Sequence, residues 1–237
     1  MPGALAAANA AGRRGGRGLA CRFGWRVVRG VSRQVIAPIA PPLPVAVLFA
    51  RRDSFYKALP GCDVYDEDRN ALTWSGGSPL IAHPPCRAWG GLSHFAKPVP
   101  GEKELALWAV DQIRLWGGAL EHPVASRLWP AKELPAPGQV DRFGGWTLAV
   151  DQDWWGHRAQ KRTKLYIVGV DPRDVPLMPF KIVEPSHVVS PSSRIRVGHP
   201  SYRPQLRKSE REHTPPDFAR WLVDLVRRCR QPMREAA

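Results

Sequence analysis

The sequence predicts an α/β protein with a mainly parallel sheet flanked by helices. Three observations carry that expectation. Short continuous apolar runs recur along the chain and read as strands buried on both faces. Stretches with helical periodicity alternate with those runs. Pro, Gly and polar residues cluster at the strand ends, where open α/β sheets place their chemistry.

The chain has 237 residues, enough for one domain with a tail. A hydrophobic content of 43% marks it as globular. It contains no apolar run of about 18 residues, so no membrane span is expected. Cys21, Cys62, Cys86 and Cys229 lie far apart with no CxxC pair, which argues against a disulfide framework and fits a reducing cytoplasm.

The formal net charge of +14 points to a polyanionic partner, nucleic acid first. Half of that excess sits in residues 1–44, which hold Arg13, Arg14, Arg17, Arg22, Arg26, Arg29 and Arg33 and no acid. This Ala-, Gly- and Arg-rich segment reads as a flexible extension. Three origins compete for it: a basic nucleic-acid arm, an organellar presequence, or translation from a start site too far upstream. The last is favoured, because a folded domain begins cleanly at Val45.

Val45–Ala50 is the first strand. Ser54–Leu59 reads as a short helix stopped by Pro60-Gly61. Cys62–Asp66 is a second short strand ending in the acidic cluster Asp66-Glu67-Asp68. Trp74–Pro79 is a loop. Leu80–Ala82 is a buried strand running into His83-Pro84-Pro85-Cys86, a rigid extended turn that presents one thiol. Trp89–Pro100 is a Gly- and Pro-containing loop. Glu102–Trp116 is the clearest helix, with Leu105, Trp108, Ala109, Ile113 and Trp116 forming one stripe and Gly117-Gly118 ending it.

Ala119–Glu121 is the next strand, closed by His122-Pro123. Ser126–Trp129 is a turn or short helix. Trp146–Val150 is a weak strand, and Asp151–His157 a polar, aromatic loop. Lys164–Val170 is the strongest strand by composition. Residues 171–213 are proline-rich, basic and without period. A last helix starts at Thr214-Pro215-Pro216-Asp217, with Thr214 as the cap. Phe218, Trp221, Leu222, Leu225 and Val226 form its apolar face, and the helix closes the chain over 214–230.

Cys86 by itself reads as an ordinary buried thiol or as a nucleophile. Glu121 can be a local pairing partner, and Arg162 and Lys164 a solvated strand start. His83, Cys86, His122 and His157 raise the thought of a metal, but their spacings match no zinc signature. A Cys–His acyl-transfer pair built on His83, His122 or His157 is a further alternative, although nothing in the sequence orients the histidine.

Three strand-end motifs line up in order: Pro84-Pro85-Cys86, Glu121-His122-Pro123, and Gln160-Lys161-Arg162-Thr163-Lys164 entering Leu165–Gly169. In order and character they resemble the DNA cytosine-5 methyltransferases. That family has a Pro-Cys loop, a Glu-Asn motif after the next strand, and Gln-x-Arg-x-Arg entering a strand that ends in Val-Gly. The likeness is to the compact phage and prophage type, whose Gly-His-x-x-x-Lys segment is matched by Trp155-Gly156-His157-Arg158-Ala159-Gln160-Lys161. It covers residues 45–170.

The resemblance implies a Rossmann-like methyltransferase fold, DNA as the partner and S-adenosylmethionine as the cofactor. It makes Cys86 the nucleophile that adds to carbon 6 of a flipped cytosine. Glu121 would protonate ring N3, with Arg162 and Lys164 at the family's basic positions. Phe49, Asp66, Glu67 and Pro84 would hold the cofactor. Gln160 and His157 would contact the substrate, with Arg194 and Arg196 in the 171–213 segment, where the family carries target recognition.

The cofactor half departs from the pattern. The family's Phe-x-Gly-x-Gly turn is replaced by Phe49-Ala50-Arg51-Arg52-Asp53-Ser54, without glycine, where side chains would crowd a cofactor. Too few residues separate Asp66 from Leu80 to hold the family's next strand, so the N-terminal half is truncated. His122 replaces the Asn. Arg51 and Arg52 fit an anionic ligand instead. Two other readings therefore stand beside the first: a divergent relative that modifies a base without S-adenosylmethionine, and a non-catalytic DNA-binding relative.

Overall fold

A computed structural model describes residues 44–90, 93, 97–190 and 194–232. The expected extension over 1–44 lies outside the described residues except for Pro44, as does much of the 89–100 loop. The described chain is an α/β fold. Its six strands are β1 (Val45–Leu48), β2 (Cys62–Tyr65), β3 (Leu80–Ala82), β4 (Gly118–Pro123), β5 (Trp146–Asp151) and β6 (Arg162–Val168). They form one sheet in the order β2-β1-β3-β4-β6-β5. The helices are α1 (Glu102–Trp116), α2 (Leu128–Ala131), α3 (Lys208–Glu212) and α4 (Pro216–Val226). No helix among the described residues is long and apolar enough to cross a membrane.

The sheet is mixed, not uniformly parallel. β2, β1, β3 and β4 pair in parallel, and β6 runs against both β4 and β5. The connection explains the reversal. Gln152–Lys161 holds only a 3-10 turn, Gln152–Trp155, and is too short for the helical crossover that a parallel neighbour needs. Because β1 lies between β2 and β3, the chain winds both ways from it and leaves a crevice at the carboxyl ends of β1 and β3.

Helices cover both faces. On one face α4 packs Phe218, Leu222, Leu225 and Val226 against Val45, Val47, Ile81, Ala119, Leu165 and Ile167. On the other, α1 packs Ala106, Ala109, Val110 and Ile113 against Ala46, Leu48, Leu80, Ala82 and Leu120. Each fully buried aliphatic side chain here stabilises the fold by about 1.5–3 kcal/mol. The α1 stripe is turned from the expected one. Small residues take the centre and bring the helix close, while Trp108 and Trp116 lie at its flanks against Phe49 and Trp74.

Three local expectations are corrected. Ser54–Leu59 is a 3-10 turn, Phe55–Ala58, capped by Ser54. β4 does not stop at Glu121. His122 and Pro123 stay in register with Lys164 and Thr163 of β6, and Val124 N–H donates to the Arg162 carbonyl beyond them. Thr214 does not cap α4: the cap position falls on Pro215 and makes no side-chain hydrogen bond, the proline ring setting the entry instead.

One glycine fixes the sheet's centre. Gly118 opens β4 at φ +132°, and any Cβ there would run into the Leu80 carbonyl of β3. The close approach of these strands brings their carboxyl ends, and hence Cys86 and Glu121, to one edge.

Candidate functional site

Cys86 follows β3 at that edge. His83 N–H still donates to the Leu48 carbonyl, continuing the ladder (3.0 Å). Pro84 and Pro85 then carry the chain out, and Cys86 closes a turn whose carbonyl accepts from Trp89 and Gly90 (3.0 and 3.2 Å). The turn is pinned to α1. Arg87 pairs with the buried Glu102 carboxylate (2.6 Å), and the Trp89 indole donates to the Lys103 carbonyl (3.2 Å). Cys86 is exposed by area. Its recess still pushes the thiol pKa up, burial first and the Glu121 charge second, with Lys161 opposing.

Glu121 is the hub of the site. Its Oε1 accepts from the Gln152 amide (3.0 Å) and the Thr163 hydroxyl (3.2 Å). Its Oε2 faces His83 Nδ1 at 3.1 Å. A carboxylate only accepts, so Nδ1 carries the proton and donates; His83 Nε2 then faces the hydroxyl of the fully buried Tyr56 (3.0 Å). Burial alone would raise the Glu121 pKa. The Lys161 charge, the His83 hydrogen bond and His122 outweigh it and bring it down to about 2. The free site is thus a protonated thiol beside an ionised carboxylate.

The sheet register divides the basic residues of the third motif. Glu121 lies opposite Leu165, on the α4 face with Thr163. Period-two alternation carries Arg162 and Lys164 to the other face. There the Lys164 ammonium lies 5.3 Å from the Trp129 ring, and Arg162 is exposed. The cation that acts on both Cys86 and Glu121 is Lys161. His122 is also on the far face, opposite Lys164, fully buried and driven down to about 4 by that burial.

The other expected residues are scattered. His157 is buried and ties its own turn, with Nδ1 2.6 Å from the Ala159 carbonyl. It lines a cleft of about 540 Å³ with Arg51, Asp53, Arg158 and His213, and Cys86 is not among the walls. Gln160, Arg194 and Arg196 are exposed. Pro84 is buried in the turn before Cys86.

Phe49 takes a left-handed φ of +61° where β1 ends, a conformation that costs a non-glycine residue energy. The Asp66 carboxylate is filled: Oδ1 accepts from the Asp68 and Arg69 amides (3.0 and 3.1 Å), and Lys57 pairs with Oδ2. Bonding from Lys57 and those amides holds it below the usual range. Glu67 pairs with Arg52 at 3.3 Å.

Tyr56, Gln152 and Thr163 carry no role in the motif reading, Lys161 enters only as the Lys of the Gly-His-x-x-x-Lys segment, and His83 only as a metal or acyl-transfer candidate. One signal was present: Lys161, Thr163, Leu165 and Ile167 share a parity, so the core face of the strand names the face of its polar start. Among the described residues no group of three His, Cys, Asp or Glu side chains is placed to hold a metal ion. No known protein-family model matches the chain, and comparison with curated proteins finds no significant match.

Proposed function

We propose that this protein is a DNA base-modifying enzyme of the cytosine-5 methyltransferase type, with Cys86 as its nucleophile. The observation that carries the reading is the pairing of an accessible thiol with a braced, ionised carboxylate at adjacent strand ends. The parallel β2-β1-β3-β4 order and its crevice support a Rossmann-like fold of that kind.

The protonation states suit an addition across a pyrimidine ring. Cys86 Sγ bonds to carbon 6 of the flipped base as its S–H bond breaks. The thiol proton passes to the Glu121 carboxylate and from there to ring N3, so charge is neither gained nor lost. The adduct is enamine-like, and its carbon 5 is nucleophilic. Lys161 steadies the carboxylate through the exchange. Gln152, Thr163 and His83 hold Glu121 with one lone pair of Oε2 uncommitted to them. The Cys–His alternative has less support, since both His83 ring nitrogens face other partners, His122 lies on the far face opposite Lys164, and His157 bonds within its own turn.

The residues at the ends of β1 and β2 do not fit S-adenosylmethionine as the family binds it. Arg51 and Asp53 put side chains where the family's glycines let the backbone approach the cofactor. Asp66 is committed to its own turn and to Lys57. The chain passes from Tyr65 to Leu80 with only a 3-10 turn, Ala71–Thr73, so the family's next strand has no counterpart. Arg51 and Arg52 are paired with Asp53, Glu212, Glu67 and Asp68, which weakens the case for an anionic ligand too. These observations favour the second reading, a relative that activates the base through Cys86 without that donor.

Nucleoside mass spectrometry tests the proposal. The full chain and a Cys86→Ala version are expressed in a host without cytosine methylation, and the DNA is digested. A new pyrimidine mass that disappears with the mutation is the expected result. A 5-methylcytosine signal would return S-adenosylmethionine to the account. DNA binding indifferent to Cys86, with no new nucleoside, would favour the non-catalytic relative.

A further inference from the structure

The proposed reaction assigns no part to Tyr56, yet this residue carries a polar hydroxyl into the core. Tyr56 is 1% exposed and belongs to the cluster that includes Val45, Val47, Ile81 and Phe218. The 3-10 turn that holds it is fixed at both ends. Tyr56 N–H donates to the Ser54 hydroxyl (3.4 Å), and the Tyr56 carbonyl accepts from Leu59 N–H (3.0 Å). The hydroxyl lies 3.0 Å from His83 Nε2, with the two ring centroids 5.5 Å apart. Among the described residues it has no other hydrogen-bond partner.

The geometry decides which atom donates. His83 Nδ1 gives its proton to Glu121 Oε2 at 3.1 Å, so a neutral ring keeps a lone pair on Nε2. The Tyr56 O–H fills that lone pair. The reverse bond, in which a doubly protonated ring donates to the Tyr56 oxygen, would strand the hydroxyl proton in the core without a partner. Burial, and then the Glu121 charge, push the Tyr56 pKa well above its ordinary value, so the hydroxyl keeps the proton it donates.

We infer that Tyr56 is a positioning residue for the Glu121 proton transfer, acting through His83. Its hydroxyl occupies the one basic nitrogen of His83. The ring stays neutral, keeps donating to Glu121 Oε2 and takes up no proton itself. The proton that leaves Cys86 then has Glu121 as its one carrier to ring N3. A charged His83 would hold Glu121 ionised by direct pairing and remove it as a proton donor. His83 also donates its backbone N–H to the Leu48 carbonyl and leads into Pro84-Pro85-Cys86, so one residue ties the nucleophile's turn to the carboxylate. The inference rests on the base-modification reading above and deepens it.

The experiment follows deuterium uptake at carbon 5 of pyrimidines in DNA, in D₂O, with the full chain as wild type, Tyr56→Phe, His83→Asn and the double variant. Tyr56→Phe keeps the ring and its packing, and thermal melting checks that each variant folds. His83→Asn keeps an N–H donor for Glu121 but has no basic nitrogen, so it does not need Tyr56. Tyr56→Phe should lower kcat about tenfold with KM for DNA unchanged. Added to His83→Asn, it should cost less than about twofold. Equal losses in the two backgrounds would overturn the inference, because Tyr56 would then act through packing alone. ¹⁵N NMR of histidine-labelled protein reads the ring directly, with His83 assigned by its absence from the His83→Asn spectrum. Wild type should show Nδ1 with a proton and Nε2 without one, and Tyr56→Phe should shift the Nε2 resonance. A proton on Nε2 in wild type, or an Nε2 resonance indifferent to Tyr56→Phe, would also overturn the inference while leaving the base-modification reading intact. No carbon-5 exchange by wild type on DNA that it binds would remove that reading and the positioning role together.

Discussion

The carboxyl edge of this sheet has two halves with unlike chemistry. At the ends of β3, β4 and β6, His83, Gln152 and Thr163, from separate parts of the chain, bond one carboxylate, the Lys161 charge acts on it, and an exposed cysteine follows the adjacent strand. At the ends of β1 and β2, polar groups are spent on local partners: Asp66 on its own turn and Lys57, Arg51 and Arg52 on neighbouring acids. Buried charge is costly even when it is paired and hydrogen-bonded. The Glu121 network carries that cost in the interior, whereas the Arg51 and Arg52 pairs are surface pairs of small worth, and Asp66, though buried, is satisfied by its own turn and Lys57. The contrast locates the proposed chemistry in the first half and explains why the second is a poor cofactor seat.

The largest expected effect that sharpens this contrast is Glu121→Gln. It should lower the rate of base modification by about 10²–10⁴-fold. In the free protein it should also speed alkylation of Cys86 at neutral pH, because the charge that raises the thiol pKa is gone. Slower alkylation would place the thiol outside the influence of Glu121.

Stability offers a second test. Thr163→Val removes a buried donor to Glu121 and should cost about 1–3 kcal/mol in urea unfolding. Glu121 itself has a depressed pKa, so its contribution is full above the unfolded value and is lost as pH falls through about 2. Acid unfolding of Glu121→Gln should therefore be shallower below pH 4.5 than that of wild type.

Asp153 gives the opposite sign. Burial, then the neighbouring Asp151, raises its pKa to about 6. Its charge is a burden that appears as pH rises from the unfolded value through about 6. Asp153→Asn should gain about 2 kcal/mol at pH 8 and nothing near pH 3. Equal gains at both pH values would mean that burial and the neighbouring Asp151 do not raise the Asp153 pKa.

The smallest effect belongs to the other half. Asp66→Ala should lower the melting temperature and leave Cys86-dependent chemistry unchanged. Calorimetric titration with S-adenosylmethionine should give the same trace before and after the mutation. A binding isotherm present in wild type and lost in the variant would make Asp66 a cofactor ligand and break the comparison.

Much of the fold was legible because local patterns decide it. The apolar runs at Val45 and Leu80 and the helical periods of Glu102–Trp116 and 216–226 lie where composition puts them. The direction of β6 was not legible from its residues, since a strand reads the same both ways; the short Gln152–Lys161 connection held that information. In the site, Cys86 and Glu121 were visible as strand-end motifs. The partners of Glu121 were hidden for two reasons. Which of Lys161 or Arg162 faces Glu121 depends on sheet register, which only the paired strand fixes. Gln152 reaches Glu121, and Tyr56 reaches His83, across long sequence separations, and no local spacing marks them.

The central claim is that Cys86 adds to a pyrimidine and makes carbon 5 nucleophilic without help from a donor. Hydrogen exchange measures that directly. DNA is incubated with the full chain in D₂O with no cofactor, then digested and weighed as nucleosides. The account predicts deuterium at carbon 5 of a pyrimidine with wild type and none with Cys86→Ala. No exchange with wild type on DNA that it binds, or exchange that survives the mutation, would contradict it.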